Sequence, residues 1–226
     1  MNYNNHKLHF FFKNQIWHIG GLILLFYIGC QIVDFENNSN VFLGISVKNW
    51  FLFSMMTPLI HQSYVWLCWR SELCWKIISR TIGFKVYVII FFILAILRLS
   101  SIGLCFADYG SWFTPGWMAW IVAILIFVPF VYTIYSIKKY FGFLRATGKD
   151  HFDPSYKNIP FEKRGIFKWS SNAMYTFAVA VFFGFAISAG SKAMFVFAAY
   201  TYIGTWLHYF CTEKEDFKII YGNIKL

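Results

Sequence analysis

Charge is scarce in this 226-residue chain. Asp, Glu, Lys and Arg make up 13% of it, about half the ~25% of a typical soluble domain. So few charges cannot cover a chain that is 58% apolar, with 10 Trp, 14 Tyr and 28 Phe, which excludes an ordinary cytosolic enzyme and a disordered chain. Cysteine is also sparse. Five are present and none forms a CxxC pair, so a secreted disulfide scaffold is excluded and the thiols read as small buried apolar groups. Six histidines are too few for the clustered ligands of a membrane di-iron enzyme, and the one HxxH pair, His6 and His9, lies in a polar leader. No GxGxxG, GxxxxGK[ST] or GxSxG occurs, which removes the Rossmann, P-loop and serine-hydrolase signatures. An integral membrane protein is left.

Long charge-free runs are abundant. Residues 14–33, 49–69, 109–137, 169–191 and 193–212 carry no formal charge, and 86–107 carries only Arg98. A spanning helix needs ~20 apolar residues at ~1.5 Å each. Six spans fit, at about 16–33, 50–69, 86–106, 117–137, 173–189 and 193–211, giving an all-α polytopic bundle in a single membrane domain. The first segment has no small-residue cleavage site and reads as a retained helix.

Loop charges support the same count. With alternate connections assigned to opposite sides, 17 Lys and Arg residues fall on one side; only Lys48 and Lys192 fall on the other. The positive-inside rule then places both termini in the cytoplasm. The net charge of +10 reflects topology, and no nucleic-acid partner is expected. The host membrane is a bacterial inner membrane or an endoplasmic reticulum.

Gly190-Ser191-Lys192 forces the last two spans into an antiparallel hairpin. Ala180, Gly184 and Ser188 recur every fourth residue on span five and permit close helix approach. The one large polar segment, 138–172, contains Gly142, Gly148, Pro154 and Pro160 and is not one helix. It and the tail after residue 211 meet at the cytoplasmic ends of the hairpin. Polar residues within the spans are few. Arg98 needs water, a carbonyl or a partner, and His61 reads as a satisfied core histidine. His18 and His208 read as interfacial, or as axial ligands of a haem.

Two segments near that meeting point carry a pattern. The first is Gly165-Ile166-Phe167-Lys168-Trp169-Ser170-Ser171-Asn172-Ala173-Met174-Tyr175. The second is His208-Tyr209-Phe210-Cys211-Thr212-Glu213-Lys214-Glu215-Asp216-Phe217, followed by Ile220-Tyr221-Gly222. Together, over 165–222, they resemble the C-terminal core of membrane S-adenosylmethionine-dependent methyltransferases, which include the isoprenylcysteine carboxyl methyltransferases and the phospholipid N-methyltransferases. Ser171, Asn172 and Ala173 stand where the isoprenylcysteine branch has Arg-His-Pro. The phospholipid branch has Asn-Pro-Met-Tyr here, and Asn172, Met174 and Tyr175 match it. Downstream, Glu213 matches the first residue of that branch's Glu-Glu pair and Lys214 replaces the second.

The resemblance implies methyl transfer from S-adenosylmethionine to a lipid or lipid-like acceptor, such as a phosphatidylethanolamine amine. Glu213 would then accept hydrogen bonds from the ribose diol or amino group. Lys168 or Lys214 would meet the carboxylate, and Asn172 the adenine. Tyr175, Tyr209 and Phe210 would present ring faces to the sulfonium. An ammonium acceptor needs a base, with Glu213, Glu215 and His208 as candidates. Alternatives are a carboxyl methyltransferase on another apolar acceptor, and a non-catalytic or haem-binding membrane protein. No metal site is expected.

Overall fold

The computed structural model describes residues 3–36 and 38–222. Helix α1 (Tyr3–Phe12) leads into α2 (Gln15–Ile32) through Asn14, whose positive φ of 63° breaks the helical run. A small antiparallel hairpin, β1 (Val41–Phe42) and β2 (Ile45–Ser46), lies in the loop that follows; it is the one addition to the expected all-α architecture among the described residues. The Ser46 hydroxyl accepts from Asn49 N at 3.3 Å and caps α3 (Val47–Trp75), as Ser does at helix starts. Short α4 (Ile77–Arg80) precedes α5 (Gly83–Leu97). A 3-10 turn at Arg98–Ser101 joins α5 to α6 (Ile102–Ala107).

Helix α7 (Trp117–Ser136) runs into a π turn, Ile137–Phe141. The polar segment is broken at its Gly and Pro positions into α8 (Phe143–Ala146) and 3-10 turns at Lys149–His151, Pro154–Asn158 and Gly165–Lys168. A second π turn, Met174–Ala178, precedes α9 (Val181–Ala189). Helix α10 (Lys192–His208) ends in a third, Tyr209–Glu213, and α11 (Lys214–Ile220) follows.

Helical segments overlie all six apolar windows. Among the described residues, three runs are long and apolar enough by themselves to cross a membrane: Asn5–Ile32, Gly83–Ala107 and Trp117–Phe141. The Met174–Ala189 segment is shorter. Arg70, read from sequence as a loop charge, lies inside α3 and is fully buried.

Helix α10 is central and packs on α2, α3 and α9; α5 lies against α3, and α7 against α9. Leu22, Phe51, Met55, Leu104, Phe182 and Phe197 fill the core between them. Gly29 lets α2 approach Met55 and Val196, and Gly184 does the same for α9 against Phe127. The outer helices keep apolar side chains exposed. On α7 these include Met118, Leu125, Val128 and Val131, with Trp117 and Trp120 at one end and Tyr132 and Tyr135 toward the other. A helix that faces hydrocarbon between aromatic belts presents such a surface.

One carboxylate organises the end of the bundle where α9 turns into α10. Buried Asp108 accepts from Ser191 Oγ at 2.7 Å and from the α10 backbone at Ala193 N, 2.8 Å. It also accepts from Asn38 Nδ2 at 2.6 Å and Ser111 Oγ at 2.7 Å. An anion at a helix N-terminus satisfies amides that have no partner within the helix. Gly190, with φ +59°, completes the turn; a Cβ there would collide with the Phe113 carbonyl.

Candidate functional site

The opposite end of the bundle holds three π turns, which end α7, begin the α9 segment and end α10. A π turn inserts an extra residue into a helix and re-aims the side chains around it. Each of the three contributes to one cavity. Phe141 comes from the first, Met174 and Tyr175 from the second, and Tyr209 and Glu213 from the third. The glycine of the sequence pattern sets the approach. Gly165, at φ +61°, brings the following turn against α7, where Ile166 N donates to Ser136 Oγ at 3.0 Å. A side chain at Gly165 would strike that hydroxyl.

This first cavity holds about 210 Å³. Its polar groups are Ser171, Asn172, Tyr175, Tyr209 and Glu213; Phe141, Phe161 and Phe217 add ring faces. Glu213 is 8% exposed and accepts a short hydrogen bond from the Tyr175 hydroxyl. Burial pushes the Glu213 carboxyl up to about 7, against the opposing pull of that hydrogen bond. Desolvation favours the neutral form of an acid. The carboxyl therefore changes charge near neutrality and would ionise fully beside a cation.

A second cavity of about 330 Å³ lies on the other side of Met174 and Tyr175, which line both. Its walls are largely apolar and include Val65, Phe91 and Val179. His208 lines it near the helix ends, and Arg98 and His61 line it deeper in the bundle. His61 differs from the satisfied core histidine expected: both its ring nitrogens are buried without a partner. Arg98 Nε is likewise unpartnered.

His208 Nδ1 lies 3.3 Å from His18 Nε2, and His18 Nδ1 lies 2.9 Å from Gln15 Oε1. The two rings are in direct contact, with centroids 4.9 Å apart. No porphyrin fits between them, so the haem reading loses its ligand pair.

A buried ionic network lies close enough to Glu213 for His151, Asp150 and Asp216 to act on its carboxyl. Arg70 Nε donates to Asp216 Oδ1 at 2.7 Å, and its other nitrogens reach the carbonyls of Phe10 (2.5 Å), Lys13 (3.0 Å) and Cys211 (3.1 Å). His151 pairs with Asp150 at 3.0 Å and Asp216 at 3.4 Å. Its ring stacks on Trp69, with centroids 4.0 Å apart. Tyr221 donates to Asp150 at 2.7 Å. Burial alone would lower the His151 pKa; the two carboxylates outweigh it and hold the ring up to about 9. This network ties α3, the 149–151 turn and α11 together. The sequence patterns gave no sign of it, because its members come from separated segments and each reads alone as a surface charge.

The expected site residues divide by geometry. Glu213, Asn172, Tyr175 and Tyr209 converge on the first cavity. His208 faces the second. Glu215 turns away to Lys13 at 2.6 Å and Lys218 at 2.5 Å. Lys168 and Lys214 are exposed and line neither cavity. Phe210 is also exposed and stacks on Trp206.

Residues 117–224 match the family model for phospholipid methyltransferases. The match begins at the first residue of α7 and takes in every residue that lines the first cavity. No curated protein and no solved structure matches the chain.

Proposed function

We propose, from the match of residues 117–224 to the family model for phospholipid methyltransferases, that the chain transfers a methyl group from S-adenosylmethionine to the amine of a phosphatidylethanolamine-type lipid. The observation that carries this reading is the pair of adjoining cavities, one polar and one apolar, separated by Met174 and Tyr175. A water-soluble cofactor and a membrane-soluble acceptor need such a partition. In this reading all six apolar helical segments span the membrane and both cavities lie near its cytoplasmic face, where the 17 basic residues collect.

The chemistry of the first cavity fits the cofactor. Ionised Glu213 would accept from a ribose diol or an amino group and balance a sulfonium charge. Tyr175, Tyr209 and Phe217 offer ring faces to a cation. Asn172 both donates and accepts, as adenine requires. The bound cofactor would supply an electrophilic methyl group. The protein then has three tasks: to align the acceptor nitrogen, to exclude water and to take up the ammonium proton.

The position of His208 in the second cavity supports it for the last task. Its Nδ1 is engaged by His18, so Nε2 is the nitrogen available to an acceptor in the second cavity. Glu213 sits on the cofactor side, and Glu215 is held by two lysines, which favours His208 as the base. An acceptor would reach the cavity between α5 and α7, which both line it but do not pack closely on each other.

The test is addition of methyl-labelled S-adenosylmethionine to membranes containing or lacking the protein, followed by lipid extraction. Label in a phospholipid amine, lost in Glu213→Gln, is the expected result. Equal labelling by the wild type and Glu213→Gln overturns the site; label confined to protein or to lipid carboxyl groups overturns the acceptor.

A further inference from the structure

Arg98 is the only charged side chain lining the second cavity among the described residues, and no carboxylate faces it there. Its Nε has no partner. His61, beside it in the lining, is 6% exposed with both ring nitrogens unpaired. A guanidinium inside a membrane bundle needs an anion or a full set of acceptors. Elsewhere in this protein that demand is met: buried Arg70 has Asp216 and five carbonyls. At Arg98 the fold supplies neither, yet it leaves an open space of about 330 Å³ in front of it.

We propose that Arg98 and His61 form a subsite for the phosphodiester of the acceptor lipid. This rests on the reading of the second cavity as the acceptor site and adds the group that fixes the lipid in it. A guanidinium presents paired N–H donors that match two phosphate oxygens, and a neutral imidazole adds one more donor.

The order of groups along the cavity agrees. His208 and Tyr175 lie at the helix ends beside the cofactor cavity, and Arg98 and His61 lie deeper. His61 is eight residues below Trp69 on α3, or about 12 Å along the axis. A cytoplasmic-leaflet phospholipid presents its amine outermost, its phosphate next and its acyl chains innermost. The amine then meets His208 and the phosphate meets Arg98, reached by the long arginine side chain. The chains leave between α5 and α7, whose outer faces carry exposed Phe92, Ile93, Ile96, Val128 and Val131.

Binding of short-chain lipids to the purified full chain in detergent tests this without any turnover. The probes are dihexanoyl phosphatidylethanolamine, dihexanoylglycerol and inorganic phosphate, with S-adenosylmethionine affinity measured separately by calorimetry. The wild type is expected to bind the phospholipid at least tenfold more tightly than the diacylglycerol. Arg98→Gln loses that preference, Arg98→Lys recovers part of it, and cofactor affinity changes less than twofold in both.

Equal binding of the two lipids by the wild type overturns the subsite, and that comparison stands even if Arg98→Gln fails to fold. An unchanged preference in folded Arg98→Gln also overturns it. Inorganic phosphate binding as tightly as the phospholipid replaces the lipid subsite with a free-anion site. Arg98-dependent lipid binding without methyl transfer refutes the proposed function and leaves the subsite standing. Methyl transfer by Arg98→Gln with an unchanged acceptor KM does the reverse.

Discussion

Glu213 offers the sharpest test of the cofactor cavity, because its charge and its proposed ligand are coupled. Burial raises its carboxyl from 4.5 to about 7, so at pH 6 about one molecule in ten carries the ionised form. If the cation binds only that form, the apparent affinity is reduced by the ionised fraction. The wild-type Kd for S-adenosylmethionine is therefore expected to tighten about tenfold between pH 6 and pH 8 and then level off. Glu213→Gln keeps the shape and an acceptor for the Tyr175 hydroxyl but cannot ionise. Its affinity should be weak and flat across that range.

The same shift has an opposite signature in the unliganded protein. A carboxyl whose folded pKa is raised contributes stability that is complete below 4.5 and is lost as pH rises through 7. The difference of about 2.5 units corresponds to about 3 kcal/mol at most. Glu213→Gln should therefore be the more stable protein at pH 8 while being the poorer binder. Calorimetry at three pH values and a thermal melt of each protein give both readings. A wild-type affinity that is flat from pH 6 to 8, or a Gln variant with the same slope, refutes the reasoning.

Three further outcomes follow from other parts of the structure. His208→Ala should lower turnover by about 10²-fold or more, with cofactor affinity nearly unchanged; rapid-quench methyl transfer beside calorimetry separates the two. Asp108→Ala removes a buried acceptor shared by Asn38, Ser111, Ser191 and the Ala193 amide. Its expected cost is about 2–4 kcal/mol, read as a lower Tm, with little change in cofactor affinity because it lies at the far end of the bundle. His151, raised to about 9 by Asp150 and Asp216 despite its burial, contributes stability that is full below 6.5 and is lost as pH rises through about 9. Thermal melts from pH 6 to 10 should decline in the wild type and flatten over that window in His151→Asn.

The helices are legible because long apolar runs with little charge favour helix, and all six apolar windows are largely helical. Their exact ends were not. Arg70 reads as a loop charge by position, yet α3 continues past it because Asp216 and five carbonyls replace its water. Glu213, Asn172, Tyr175 and Tyr209 were visible through the spacing of two short motifs around a hairpin, and they do converge. Lys168 and Lys214 sit in the same motifs but point outward, since adjacent residues on a helical turn face different directions. His61 and Arg98 are 37 positions apart, and only the packing of the Arg98–Ser101 turn on α3 makes them one feature.

The three π turns have a consequence for the length of the chain itself. Each holds one residue more than an α-helical turn would need, at the point where a helix meets the polar cavity. Deleting a single residue there would let the turn relax into regular helix. The helix beyond it would keep its phase, but the side chains within the turn, which the extra residue aims at the cavity, would swing by up to about 100° around the axis. Glu213 lies at the end of such a turn, so its aim is set by counting as much as by chemistry. A substitution at these places removes a group, whereas a one-residue deletion would keep every group and still dismantle the cavity.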